Sequence, residues 1–415
     1  MRFTKERRSN DTTALPGVCL ARQPIFGTAG DVAGYELVSW DRTTGRETGA
    51  ANVVRAVLSI GLDQLTAGRV AYVTFTPEMV VAGAYTALPR DGIVVELVDD
   101  VEPDDRVELA CERLVNAGYA LALHADGAGC SERLLELATV VKVDVHEQSP
   151  ARLDAIAQEL ATYDVRLLAE RVDTARTQAL CAGLGYELFH GTYYARPEMV
   201  RRRVLHSDEL AIMRVLNELR DGRANDTIAE AVFASDVKLA SRLLRAVNGM
   251  GRADRGTESV RDALQHGTRD ELGTWLLLLL ASAIAARESA SRELLHLAVQ
   301  RARLCALLAG SAGRAHDAGS MFLVGLFSLL DAVGRMPIEA LLEPMALGPL
   351  VREALLERTG PYAATLALVE AWEQGEWETV RRQASAAGID ASQVSTCYVQ
   401  SLAWTRDRLR SLNVT

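Results

Sequence analysis

Lysine is almost missing from this chain. Of its 45 basic residues only Lys5, Lys142 and Lys238 are lysine, and the other 42 are arginine. A lysine kept inside an apolar run, as at Lys142, therefore calls for a reason. An ammonium is a compact charge that can be buried and tuned, whereas a guanidinium is a broad fork that stays charged. Cysteine is sparse as well: Cys19, Cys111, Cys130, Cys181, Cys305 and Cys397 are scattered, with no C-x-x-C pair. That excludes a zinc ribbon and a disulfide framework and fits a reduced, cytoplasmic setting. No apolar run reaches the ~20 residues of a spanning helix. The longest, Leu272 to Ala286, reads as a buried helix, and the polar start Met1 to Asn10 has no apolar signal core. Positive charge is in deficit, with a formal net charge of -10. This argues against a nucleic-acid coat, and neither a membrane nor a nucleic acid is expected as a partner.

What is present is apolar and patterned. Hydrophobic residues make up 49% of 415 positions, enough for a sizeable core and for more than one domain. In the first half, short apolar runs recur: Val18-Leu20, Gly34-Val38, Val70-Phe75, Gly92-Leu97, Tyr119-His124, Val140-Val145, Val165-Glu170 and Tyr186-His190. Helical patterns separate most of them, at Gly49-Ala67, Pro103-Ala117, Ser131-Ala138, Ser149-Tyr163 and Thr174-Leu184. Continuous apolar strands alternating with amphipathic helices imply a parallel sheet of βαβ units, and this number of strands fits a (β/α) barrel.

Chemistry in such a barrel sits at the C-terminal strand ends. Glu96, His124, Lys142 and Glu170 each close an apolar run there. A single polar strand end ordinarily serves a neighbouring loop. Four converging on one rim point to a site.

Beyond Pro197 the pattern turns helical. Apolar residues follow the helical period in Glu209-Leu219, Val237-Val247 and Ser291-Leu308, with Gly and Pro punctuation between segments. The fold class is therefore α/β plus all-α. A flexible start (1–16) precedes a barrel (17–200) and a helical domain (201–415). Arg201-Arg202-Arg203 at the join reads as a solvated linker edge.

Several stations of the first half resemble, in order, the EAL domain, a barrel family that hydrolyses the bacterial second messenger cyclic di-GMP. They are Ala21-Arg22-Gln23-Pro24-Ile25-Phe26, Gly34-Tyr35-Glu36-Leu37-Val38, Gly92-Ile93-Val94-Val95-Glu96-Leu97, Val141-Lys142-Val143-Asp144, Ala169-Glu170-Arg171-Val172-Asp173-Thr174 and Phe189-His190-Gly191-Thr192-Tyr193-Tyr194-Ala195-Arg196-Pro197. The resemblance implies that Glu36, Glu96 and Glu170 match metal-binding positions, and that Lys142 matches a lysine orienting the attacking water. Two divalent ions would stabilise the attacking and leaving oxygens.

The departures are as telling. Thr74 stands where the family has an asparagine ligand, and His124 and Ala125 stand where it has paired aspartates. Trp40 falls where a phosphate-binding arginine is usual, Arg171 replaces a glycine, and His190 replaces a glutamine. Ala125 offers a metal nothing, and oxygen ligands suit Mg²⁺ or Mn²⁺ better than the His124 imidazole. Asp126 sits one residue on, which on a strand is the opposite face. Lys142 is thus expected as a vestigial catalytic group, and Glu36, Glu96, His124 and Glu170 as vestigial metal positions. Gln23, Trp40, His190 and Tyr193 are candidates to touch a ligand.

The helical half resembles the HDOD domain, a relative of HD phosphohydrolases that lacks their metal ligands. The resemblance rests on Ser235 to Asn248, on Val260 to Leu276 with Gly267 and Trp275 in register, and on Gly325 to Asp331. In the last of these, Ser328 and Leu329 replace the His-Asp pair. His316-Asp317 lies upstream of that register and reads as a solvated loop or helix start.

Together the resemblances imply a non-catalytic regulator linked to cyclic di-GMP that acts on protein partners through its helical domain. No cofactor is expected, and Mg or Mn enters only if the chain is a phosphodiesterase. The alternatives are an active or residual phosphodiesterase and a cyclic di-GMP receptor. A homodimer is compatible with all of these.

Overall fold

The computed structural model describes residues 18–41, 46–47, 50–98, 104–124, 131–195, 207–220, 269–285, 291–334, 337–345 and 347–411. The segments 125–130, 201–203 and 235–248 lie outside the described residues, as does most of 260–276. So do the side chains of Cys19 and Trp40.

Eight strands close into a barrel. They are β1 (Val18–Gly27), β2 (Val32–Asp41), β3 (Val70–Phe75), β4 (Ile93–Leu97), β5 (Ala120–His124), β6 (Val140–Asp144), β7 (Arg166–Glu170) and β8 (Leu188–His190). From β2 to β8 each strand lies parallel to the next. The expectation of a wholly parallel sheet needs one correction. β1 runs antiparallel to both neighbours, β2 and β8. The cause is local: only the short turn Thr28-Ala29-Gly30-Asp31 separates β1 from β2, too few residues for a crossover helix.

The barrel helices are α1 (Ala50–Ile60), α2 (Asp105–Asn116), α3 (Glu132–Leu137), α4 (Pro150–Leu160) and α5 (Ala175–Gly183). Four start on a side chain that accepts from the first turn: Asp104, Ser131, Ser149 and Thr174. These caps set the helix starts within two residues of where the sequence pattern places them. The Gly49-Ala67 pattern instead breaks at Gly61, whose φ is 95°, and a short helix Leu62–Thr66 follows.

Two-residue alternation divides the barrel interior into layers. Ile25, Tyr72, Val94, Ala122, Val140, Leu168 and Leu188 form a closed apolar cluster. The Tyr72 ring fits because β2 carries Gly34 beside it. A Cβ there would lie 2.8 Å from the Val70 carbonyl oxygen and 3.0 Å from the ring.

The helical region comprises α6 (Ser207–Arg220), α7 (Arg269–Ala285), α8 (Ser291–Ser311), α9 (Ala318–Phe327), α10 (Gly360–Gln374), α11 (Trp377–Ala387) and α12 (Ala391–Ser411), with shorter turns between. α7 is the helix expected at Leu272-Ala286, and Trp275 to Ala281 is buried without a break. Among the described residues no helix is long and apolar enough to cross a membrane.

A barrel strand needs cover on its outer face. The hairpin gives β1 no crossover helix of its own, and α10 and α12 pack on it together with α1. β1 meets β8 only over Ile25–Gly27. Further up, side chains of the helical region take its backbone groups. Trp372 Nε1 donates to the Leu20 carbonyl at 3.2 Å, and the Arg22 amide donates to the Tyr398 hydroxyl at 3.2 Å. One apolar core consequently runs from the outer barrel wall into the helices.

Gly34→Ala is expected to lower the unfolding free energy by about 1–3 kcal/mol through overpacking. A lower urea midpoint at unchanged m value would register it.

Candidate functional site

The polar residues of the mouth follow from the same two-residue period. One step above the apolar layer, towards the C-terminal strand ends, each parallel strand turns a further residue inwards. β2 supplies Glu36, β3 Thr74, β4 Glu96, β5 His124, β6 Lys142, β7 Glu170 and β8 His190. β1 points the other way, so its contribution, Gln23, precedes Ile25 instead of following it.

Lys142 is at the centre, its side chain wholly buried. Its Nζ lies 2.6 Å from Glu170 Oε1, 2.9 Å from Glu96 Oε2 and 3.2 Å from Glu36 Oε2. Burial alone would drive an ammonium to give up its proton. The three carboxylates outweigh it and hold the Lys142 pKa well above its ordinary value.

His124 bridges the next gap. Its Nε2 is 2.5 Å from Glu96 Oε1, and its Nδ1 is 3.2 Å from Glu170 Oε2. Burial opposes charge on the ring, but the bonds to Glu170 and Glu96 prevail and raise its pKa from 6.5 to about 10. Burial likewise pushes Glu96 and Glu170 upwards, while Lys142 and His124 outweigh it and hold both below the ordinary carboxylate range. The cage therefore sets Glu96 and Glu170, held towards their charged forms, and Glu36 around the Lys142 ammonium and a ring that holds its proton tightly. The protein supplies its own cations.

His190 closes the other side. Its Nδ1 is 3.4 Å from Glu36 Oε2 and its Nε2 is 2.9 Å from Gln23 Oε1. Glu36, Glu170 and His190 each offer a donor atom, and these lie within 4.8 Å of one another.

The structure thus brings together Gln23, Glu36, Glu96, His124, Lys142, Glu170 and His190. It does not bring Tyr193 to them. That ring packs edge-on against Phe26, on the outward face of β1, with centroids 5.9 Å apart, and against Tyr194. The Trp40 side chain, Ala125 and Asp126 lie outside the described residues. At the rim Arg171 adopts a left-handed backbone, φ 54°, where the resembled family has glycine, and pairs with Asp144. Such a conformation costs a side-chain-bearing residue about 1–2 kcal/mol.

Sequence reasoning missed the residues that hold the site from outside. Gln23 Nε2 donates to the Glu373 carbonyl at 3.2 Å. Arg301 grips the Glu373 carboxylate, with Nη2 at 2.6 Å, and donates to Ser328 Oγ at 2.9 Å. A buried arginine on an apolar helix was the one available signal.

No family model matches the chain. It is 29% identical over 405 residues to the cyclic di-GMP phosphodiesterase CdgJ of Vibrio cholerae, covering 94% of this chain and 92% of that one. It is 26% identical over 402 residues to the uncharacterized protein YuxH of Bacillus subtilis, covering 93% and 98%. Among solved structures, an EAL domain protein of Listeria monocytogenes matches at 12% identity and a TM-score of 0.35, over 43% of this chain and 88% of that one. Klebsiella pneumoniae BlrP1 in complex with calcium and cyclic di-GMP matches at 18% identity and a TM-score of 0.36, over 46% and 58%.

The cage makes stability depend on pH in both directions. His124 binds its proton more tightly folded than unfolded. Its contribution is complete below pH 6.5 and is lost as pH rises to about 10. The depressed Glu96 and Glu170 contribute above the ordinary carboxylate range, and that contribution is lost as pH falls from that range through their lowered folded values. Thermal unfolding should show the wild type losing stability from pH 6.5 towards 10, with a flatter loss in His124→Gln. Equal slopes would contradict the bridge. Lys142→Met, which strands three carboxylates, should cost about 3–5 kcal/mol in chemical denaturation.

Proposed function

We propose that this chain is a signalling protein of the cyclic di-GMP system whose EAL-like barrel is not a catalyst, and whose output passes to protein partners through an HDOD-like helical region. The observation that carries this reading is the His124 bridge. A two-metal phosphodiesterase needs its carboxylates free to take divalent ions. Here both nitrogens of one imidazole engage Glu96 and Glu170, and Lys142 engages all three carboxylates. Ala125 has no donor, and Thr74 offers a hydroxyl where the resembled family offers an amide oxygen. The donor set does not fit two divalent ions. The similarity to CdgJ across nearly the whole chain supports the connection to cyclic di-GMP. In the helical region Ser328 and Leu329 stand at the register of the HD pair, and Ser328 is bonded to Arg301.

A second reading, a residual phosphodiesterase or a cyclic di-GMP receptor, is favoured by one observation. Glu36, Glu170 and His190 converge closely enough for a single ion, and a mixed N/O donor set suits Mn²⁺ better than Mg²⁺.

The purified full chain, supplied with cyclic di-GMP and Mg²⁺ or Mn²⁺, is expected to release no linear dinucleotide above a protein-free blank. Mn²⁺ should leave the thermal midpoint of the wild type unchanged and raise that of the double variant His124→Asp, Ala125→Asp. Wild-type turnover that disappears in Glu36→Ala would overturn the non-catalytic reading and establish the second. Calorimetry with cyclic di-GMP alone separates a receptor, which gives binding heat, from a barrel that only scaffolds.

A further inference from the structure

The first two strands outgrow the barrel they belong to. β2 pairs with β3 only over Gly34–Glu36, and β1 with β8 only over Ile25–Gly27. β1 and β2 nevertheless stay paired with each other as far as Val18 and Asp41. Their upper parts form a ribbon that rises above the mouth. Period two puts Gln23 and Ala21 of β1, with Glu36 and Val38 of β2, on its inward face, and Ala21 stands opposite Val38. Left alone, the upper part of that face would meet water. Ala21 is instead 0% exposed.

The helical region supplies a cover. α10 passes the edge of β1, where Trp372 Nε1 meets the Leu20 carbonyl, and ends in a Schellman turn. The Gly375 amide donates to the Trp372 carbonyl at 3.2 Å and the Glu376 amide to the Ala371 carbonyl at 2.9 Å, with Gly375 at φ 70°. This closure takes the carbonyls of Ala371 and Trp372 and leaves that of Glu373 to Gln23 Nε2, 3.2 Å away. The reversed chain then lies on the ribbon. A Cβ on Gly375 would be 3.6 Å from Gln23 Nε2 and 3.7 Å from Val38 Cγ1. Val38 is the cross-strand partner of Ala21, and Gln23 is its next neighbour on the same face.

The turn is anchored at both ends by buried indoles, Trp372 and Trp377, which meet edge-on with centroids 5.4 Å apart. Between them Gln374 and Glu376 are exposed. Its hold on the mouth is one hydrogen bond and the packing of a glycine. A segment held so lightly opens locally at a lower cost than global unfolding.

We propose that the α10–α11 turn, Glu373–Trp377, is an autoinhibitory strap that covers the β1 side of the barrel mouth and occupies the Gln23 amide, and that its release uncovers Gln23 beside Glu36 and His190. A ligand held by these residues competes with the strap, so the helical region sets how readily that side of the mouth is reached. The strap acts alike whether the barrel is a scaffold, a receptor or a catalyst.

The test is thiol labelling of the full chain carrying Ala21→Cys, with iodoacetamide as the probe and fragment masses reading position 21 apart from Cys19. The buried thiols of Cys111, Cys181 and Cys305 report unfolding in the same sample. The introduced thiol should react more slowly than a free thiol and faster than the three buried ones. Its rate should depend little on urea below the unfolding transition, which marks a local opening. Trp377→Ala, which removes the partner of Trp372, should speed the reaction about three- to tenfold. Gln23→Leu, which deletes the hydrogen bond to the strap, should speed it about fivefold. The buried thiols should stay protected in both. A rate equal to that of a free thiol means an uncovered face, and a rate as slow and urea-dependent as that of Cys111 means a strap that never opens. Either result overturns the proposal, as do unchanged rates in both variants. A variant that labels at all the reporter thiols has unfolded, and the Ala21→Cys protein alone then decides.

Discussion

The buried ammonium of Lys142 is the constraint around which the barrel mouth is built. A charge taken out of water is tolerated only when paired and hydrogen-bonded. Three strands answer it with Glu36, Glu96 and Glu170. Three carboxylates around one ammonium leave an excess of negative charge, and His124 takes up part of it from the strand between β4 and β6. Each member is thus a condition for the others. The apolar layer beneath, from Ile25 to Leu188, keeps water from relaxing the cluster from below.

A second constraint comes from β1. Its reversed direction leaves it without a crossover helix of its own and with part of one edge bonded to neither neighbouring strand. The helical region supplies both needs through Trp372, Tyr398 and the apolar faces of α10 and α12. The two halves are consequently joined by a continuous core and by backbone hydrogen bonds. The strand that takes its cover from the helical region also carries Gln23, its contribution to the mouth.

The helical region repeats the electrostatic logic of the barrel on a smaller scale. Arg301 is buried, and it is neutralised by Glu373 and Glu370 and hydrogen-bonded to Ser328. In both places an internal cation is locked among carboxylates. The guanidinium fork takes the Glu373 carboxylate through Nε and Nη2 and both Glu370 and Ser328 through Nη1, a geometry an ammonium cannot reproduce. The point charge of Lys142 instead accepts three carboxylates converging on one atom. That difference explains why this arginine-rich chain keeps a lysine there.

Much of this was legible in the residues. The alternation of Val94 with Glu96, Val140 with Lys142 and Leu168 with Glu170 assigns inward faces without coordinates, because a strand has period two. Asp104, Ser131, Ser149 and Thr174 mark helix starts because a free backbone N–H needs an acceptor. His124 stood out as a replaced carboxylate, yet nothing local revealed that its two nitrogens reach residues on β4 and β7. That pairing exists only once barrel closure sets the strand ends side by side. The reversal of β1 follows from its short turn, but its consequence, a mouth residue before Ile25 instead of after it, needed the register. Gln23 and Glu373 are 350 residues apart in the chain. Periodicity and capping are local properties, so the sequence alone determined the strands, the helix starts and the inward residues. Which cation meets which carboxylate, and which helix end meets the site, depends on contacts between distant segments that only the tertiary structure decided.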